Sequence, residues 1–232
     1  MKISGSVALV TGANRGLGKQ FVASLLDRGA AKVYATARRP ELVTVPGVEV
    51  LRLDVTDPAS IAEAAAAAPD VNLLINNAGI ATGQNLITGD LAEIHREMDT
   101  HYFGTLGVIR AFAPQLTDGA ILNVLSALSW FSLSGANAYA AAKAAAWSLT
   151  NGVRLELAAR NIQVTGLHLG AADTDMTARY DGPKISPEQV VTAALDGLEE
   201  GRLEVLADDW SRHVKASLAG DPAAFYGSTP AA

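Results

Sequence analysis

The chain has 232 residues, 49% of them hydrophobic and 18% charged, with a formal net charge of −6. That length suits one domain, that composition supplies a large core and argues against disorder, and the acidic balance gives no electrostatic case for nucleic acid. Cysteine is absent and the four histidines are scattered, which excludes disulfides, thiolate zinc sites and a cysteine nucleophile and leaves no metal-ligand spacing.

In chain order, a single lysine precedes the apolar run Val7-Ala8-Leu9-Val10, which reads as a buried strand rather than a secretion signal. A glycine-rich turn follows, Thr11-Gly12-Ala13-Asn14-Arg15-Gly16-Leu17-Gly18. Leu17, Phe21, Val22, Leu25 and Leu26 then keep helical spacing up to Gly29, which is placed as a C-cap. Further strands, buried on both faces, are predicted at 32–36, 48–53, 71–75, 120–125, 162–169 and 203–206. Helices are predicted at 59–68, 91–112 and 136–159, with Pro69 and Pro114 where two of them stop. Ser186-Pro187-Glu188-Gln189 opens another as a capping box. Strand-helix alternation throughout predicts an α/β fold, a doubly wound parallel sheet of seven strands flanked by helices, in one domain over residues 1–232. No stretch approaches the ~18 apolar residues of a membrane helix, so a soluble, cytoplasmic protein with no membrane partner is expected.

A glycine-rich turn between a buried strand and a helix lets the backbone amides of Gly12, Asn14, Arg15, Gly16, Leu17 and Gly18 approach a pyrophosphate at the positive end of the helix. After the second strand a free ribose calls for a carboxylate, but the chain reads Ala35-Thr36-Ala37-Arg38-Arg39. Arg38 or Arg39, with Arg15, suits a 2′-phosphate, so NADP is preferred over NAD; the alternative is that these are solvated surface charges. Asp54-Val55 lies where an adenine ring sits, and Asp54 either accepts from its amino group or caps the helix beginning near Pro58. Asn76-Asn77-Ala78-Gly79 ends the fourth strand on the ligand-binding edge, where Asn77, Ala78 and Gly79 permit close approach to a dinucleotide. An Asn side chain there can equally tie neighbouring loops.

Ser126 precedes Tyr139-Ala140-Ala141-Ala142-Lys143. Residues i and i+4 share a helix face, so Lys143 can hold its ammonium near the Tyr139 phenol and lower its pKa. The alternative is an exposed helical pair. With the glycine turn, Asn-Asn-Ala-Gly, Ser126 and Tyr-x-x-x-Lys in one order, the chain resembles the short-chain dehydrogenase/reductase family over nearly its whole length.

That resemblance implies a Rossmann fold and an oxidoreductase. Ser126 would orient and polarise a substrate carbonyl, Tyr139 would donate the proton, and Lys143 would lower the Tyr139 pKa and bond the nicotinamide ribose. Hydride would come from the nicotinamide. Gly170, Ala172 and Thr174 would line the cofactor, Thr174 contacting its carboxamide. Two positions depart from the family: His101 stands where an Asn supports a proton relay, and Leu169-Gly170 replaces Pro-Gly. His101 either serves the relay or packs as an inert neutral ring.

Leu128, Trp130, Phe131, Met176 and Tyr180 are candidates for an apolar substrate pocket, with plain packing as the alternative. The expected substrate is a small or medium ketone, aldehyde or alcohol. The alanine-rich helix at 136–159 and the helix at 91–112 suggest a homodimer or homotetramer, as the resemblance also implies. Two competing functions stay open, a dinucleotide-binding regulatory protein and an epimerase or dehydratase with tightly held cofactor.

Overall fold

Seven short strands position the rest of the chain: β1 Val7–Val10, β2 Lys32–Ala37, β3 Glu49–Arg52, β4 Leu73–Asn76, β5 Ala120–Val124, β6 Gln163–His168 and β7 Glu204–Leu206. The computed structural model describes residues 1–228. These form a parallel sheet in the order β3-β2-β1-β4-β5-β6-β7. Because successive side chains point to opposite faces, each central strand feeds two cores. Ala8, Val10, Leu73, Ile75 and Leu122 pack with Phe21, Leu25, Val191 and Leu195 on one side. Leu9, Leu74 and Ile121 pack with Ile61, Val108, Phe112 and Val153 on the other.

The intervening helices are α1 Gly16–Asp27, α2 Pro58–Ala67, α3 Leu91–Met98, α4 Thr105–Phe112, α5 Asn137–Leu157, α6 Pro187–Glu199, α7 Asp209–Ser217 and α8 Pro222–Ser228. Gly29 ends the α1 turn at φ 78°, a conformation only glycine adopts without strain. Ser186 and Gln189 cap α6 reciprocally, as the sequence predicts. No helix among the described residues is long and apolar enough to cross a membrane.

Three expectations need correction. β3 is a sheet edge with Val50 40% exposed, not a strand buried on both faces, because it pairs only with β2. The helix expected at 91–112 is continuous in direction but passes through a π-helical turn, Asp99–Gly104, between α3 and α4. Asp57, not Asp54, caps α2 by accepting from the Ala59 N–H at 3.0 Å. Asp54 accepts instead from the backbone and hydroxyl of Thr56.

Strand order reverses between β1 and β4, and the carboxyl ends of these strands part there. This is the switch point at which open α/β sheets bind ligands.

Candidate active site

The glycine turn is shaped by contacts that a side chain would block. Gly12 and Gly16 take φ of 66° and 51°. A Cβ built on Gly18 would stand 2.1 Å from the Gly12 carbonyl oxygen, so Gly18 serves helix–strand packing and does not line the cleft. The N-cap residue Arg15 makes no side-chain cap bond, so the positive end of α1 keeps first-turn amides without a capping side chain, the kind of helix end that suits an anion. Thr11 Oγ accepts from the backbone N–H groups of Asn77 and Ala78, while Asn77 Nδ2 donates to the Thr11 carbonyl at 2.9 Å. The Asn77 side chain is therefore committed to tying β4 to the glycine turn.

A cleft of about 450 Å³ runs along this edge. At one end are Arg38, Asp54 and Val55; in the middle Gly12, Asn14, Arg15, Gly16, Leu17, Asn77, Ala78 and Gly79; at the other end Ser126, Tyr139, Lys143 and His101. Gly170, Ala172, Thr174 and Met176 form the facing wall. Arg38 and Arg39 are exposed at the rim, and Arg15 pairs with Asp175 at 3.4 Å across the mouth. Thr174 closes on the glycine turn, its Cγ2 3.3 Å from where a Gly16 Cβ would be. The loop is braced by the Ala172–Ile185 bridge and by Thr177 donating to the Ala172 carbonyl. Gly170 donates to Asp208 Oδ2 at 2.6 Å, which anchors the Leu169-Gly170 turn where a proline would otherwise fix the backbone.

These features fit a dinucleotide: a bare helix N-terminus, glycines at a close approach, and arginines at the ribose end.

Ser126 ends β5 with extended backbone and turns the chain into a short 3-10 turn, Ala127–Ser129, its hydroxyl accepting from Leu128 N–H at 3.1 Å. The Ser126 hydroxyl acts on the Tyr139 phenol as well, favouring its ionisation. Lys143, one helical turn beyond Tyr139 on α5, holds Nζ 5.5 Å from the Tyr139 ring centroid and donates to the Val124 carbonyl at 2.7 Å. The shared face expected of the pair is present.

The expected pKa effect is reversed. Burial first, and the Glu97 carboxylate second, push the Tyr139 phenol up. Burial pushes Lys143 down to about 8. Lys143 gives up its proton before Tyr139 does, so in the ligand-free protein it has no charge left to offer a phenolate.

His101 lies on the π turn, 2% exposed, its ring edge-on to Tyr139 at 5.1 Å. Nε2 stands 2.8 Å from the Ile80 carbonyl oxygen, and burial pushes the ring's pKa down, with the Lys143 charge adding to the effect. A neutral imidazole at neutral pH follows.

Of the substrate-pocket candidates only Met176 lines the cleft. The 3-10 turn sends Leu128, Trp130 and Phe131 away from it. Trp130 stacks on His168 at 3.8 Å, Phe131 packs edge-on to Trp210 and Phe225, and Leu128 joins the same apolar cluster. Tyr180 lies outside the lining and is 46% exposed. The C-terminal tail folds on this segment, with Tyr226 Oη accepting from Ser132 N–H.

Sequence reasoning passed over Glu97 and His168. Both are completely buried, and each touches a site residue: Glu97 Oε2 is 3.4 Å from His101 Nε2, and His168 Nδ1 is 3.0 Å from the Ser126 carbonyl oxygen. The four-residue spacing from Glu97 to His101 was the available signal for the first.

Comparison with known proteins places this geometry. The short chain dehydrogenase family model matches residues 6–184. An NADPH-dependent 1-acyldihydroxyacetone phosphate reductase of Schizosaccharomyces pombe is 32% identical over 74% of this chain, which spans only 61% of that relative's length. An uncharacterised oxidoreductase of Staphylococcus aureus is 28% identical over 85% of this chain and 93% of its own. A solved short chain dehydrogenase from Burkholderia cenocepacia, in complex with NADP, superposes at TM-score 0.94 with 40% identity, covering 99% of this chain and 100% of that one. A short chain dehydrogenase/reductase from Burkholderia phymatum in complex with NAD shares the fold at TM-score 0.83 and 22% identity, over 100% of this chain and 99% of that one. With the family model covering most of its length, this chain belongs to the short-chain dehydrogenases.

Proposed function

We propose that the protein is an NADP-dependent oxidoreductase that transfers a hydride between the nicotinamide and a small or medium apolar ketone or aldehyde, or the corresponding alcohol. The observation that carries it is the convergence of Ser126, Tyr139 and Lys143 at one end of a single cleft whose other end holds Arg38 and Arg39. The 40% identical relative bound NADP, and the yeast relative is an NADPH-dependent reductase, which supports the cofactor and the reaction class.

When bound, the cofactor supplies the hydride; the chain's residues do the rest. Backbone amides of the glycine turn hold the pyrophosphate, and Arg38 with Arg15 takes the 2′-phosphate, releasing Arg15 from Asp175. Ser126 Oγ donates to the carbonyl oxygen and polarises it. Tyr139, kept protonated by burial, donates its proton to the oxygen as hydride reaches the carbon. Lys143, fixed by the Val124 carbonyl, bonds the nicotinamide ribose. Ile80, Leu169 and Met176 give the substrate end an apolar lining.

Phe103 and Leu155, 57% and 80% exposed on the π turn and α5, support a homo-oligomer through these helices. The functional test is consumption of NADPH and of NADH across ketones, aldehydes and imines. Preferential use of NADPH with a carbonyl acceptor supports the reading. A cofactor that copurifies at stoichiometry and is regenerated in each turnover, with no free NADPH consumed, supports an epimerase or dehydratase instead.

A further inference from the structure

Glu97 has no place in the reaction as described, yet it is fully buried beside the reacting groups. Oε1 accepts from the backbone N–H of Thr82 at 2.6 Å and from its hydroxyl at 2.9 Å. Oε2 has no hydrogen-bond partner among the described residues and faces His101 Nε2 at 3.4 Å. His101 Nε2 is shared between this oxygen and the Ile80 carbonyl at 2.8 Å. These two acceptors outweigh the Ile80 N–H, which reaches the same nitrogen only at 3.4 Å, and favour the tautomer with its proton on Nε2. The other side of that ring meets Tyr139 edge-on.

Lys143 is 5% exposed, and its hydrogen bond among the described residues goes to a neutral carbonyl. An isolated ammonium or an isolated carboxylate in such surroundings neutralises itself. Glu97 meets the His101 ring at 3.4 Å, that ring meets Tyr139 at 5.1 Å, and Lys143 Nζ lies 5.5 Å from the Tyr139 ring. Two opposite buried charges thus flank one small aromatic pair and stabilise each other, since low effective dielectric extends their reach.

We infer that Glu97 is the positioning and charge-balancing residue of this site: it fixes the His101 tautomer and keeps the Lys143 ammonium charged. The inference rests on the reading of Tyr139 and Lys143 as the reacting pair. The titratable groups coupled to Lys143 are Tyr139 on α5, His101 on the π turn, Glu97 on α3 and His168 on β6. Of these Glu97 alone is held as an anion: burial opposes its ionisation, but the His101 ring 3.4 Å away and the two Thr82 hydrogen bonds outweigh it and keep its pKa low. Burial lowers Lys143 to about 8, and Glu97 is the charge that resists a further fall.

The test needs neither cofactor nor substrate. Lysine labelled with carbon-13 at Cε is titrated by NMR in the full chain, with the Lys143 signal assigned by its loss in Lys143→Arg. The wild type is expected to titrate near pH 8, and Glu97→Gln, which keeps a Thr82 acceptor, to titrate about one pH unit lower or more. An unchanged midpoint in a folded Glu97→Gln protein overturns the inference. Should that variant fail to fold, Glu97→Asp is read in its place; its shorter side chain withdraws the carboxylate from the His101 ring, so a lowered midpoint supports the inference and an unchanged one overturns it. Turnover is scored separately. A shifted midpoint with no turnover of any acceptor keeps the charge balance and removes the reductase, whereas turnover with a fixed midpoint does the reverse.

Discussion

Tyr139 is the residue on which the chemistry turns. Tyr139→Phe removes the proton donor while leaving the ring packed against His101, so NADPH binding should survive and turnover should fall by about 10²–10⁴-fold. His101 tests a different idea. Its pKa is pushed below the ordinary histidine value, so the ring is neutral above about pH 7 and His101→Asn is expected to leave the rate profile there unchanged in shape. An acidic limb that disappears in the variant would give the histidine a titrating role. Arg38→Asp should lower the ratio of NADPH to NADH kcat/KM by about tenfold or more, as a charge-assisted contact is exchanged for repulsion. A ratio unmoved in both Arg38 and Arg39 variants would place the phosphate elsewhere. Backbone contacts of the site were the legible part, because glycines and a strand-terminal Asn-Asn-Ala-Gly constrain where the chain can pass. Side-chain directions were not. Trp130 and Phe131 follow Ser126 by four and five residues, and one 3-10 turn aims both at the C-terminal helices.

At the scale of elements, the strands were readable because central strands buried on both faces leave uninterrupted apolar runs. Capping was readable where a side chain and its return partner both appear, as at Ser186 and Gln189. The π turn was not, since apolar spacing carries no mark of one inserted residue; yet this turn places His101 beside Gly79 and Tyr139. The junction of β1 and α1 is the tightest test of element packing. Gly18→Ala forces a methyl into the Gly12 backbone, which cannot yield as a flexible side chain would. Thermal or urea unfolding should show a loss of about 1–3 kcal/mol, and NADPH affinity should drop because the turn must shift. A variant with wild-type stability and affinity would mean that the helix slides without cost.

The whole molecule carries its pH dependence in buried bases. His168 is fully buried, and burial lowers its pKa to about 4. Between its unfolded value near 6.5 and that value the unfolded chain binds the proton and the folded one does not. Stability from this group is therefore complete above about pH 6.5 and lost as pH falls toward 4, by about 3 kcal/mol in all. His168→Gln should flatten that part of the curve of Tm against pH, even if its maximum is lower; an unaltered acid slope would show that His168 is protonated in the fold. Function has a still more direct test. Purified protein is mixed with NADPH and a panel of ketones and aldehydes, and absorbance of the reduced nicotinamide is followed for wild type and Tyr139→Phe. Consumption of many equivalents of NADPH by the wild type, abolished in a variant that still binds the cofactor, is the predicted result. Equal consumption by both proteins would contradict the assignment of Tyr139, and with it the account of how this cleft works.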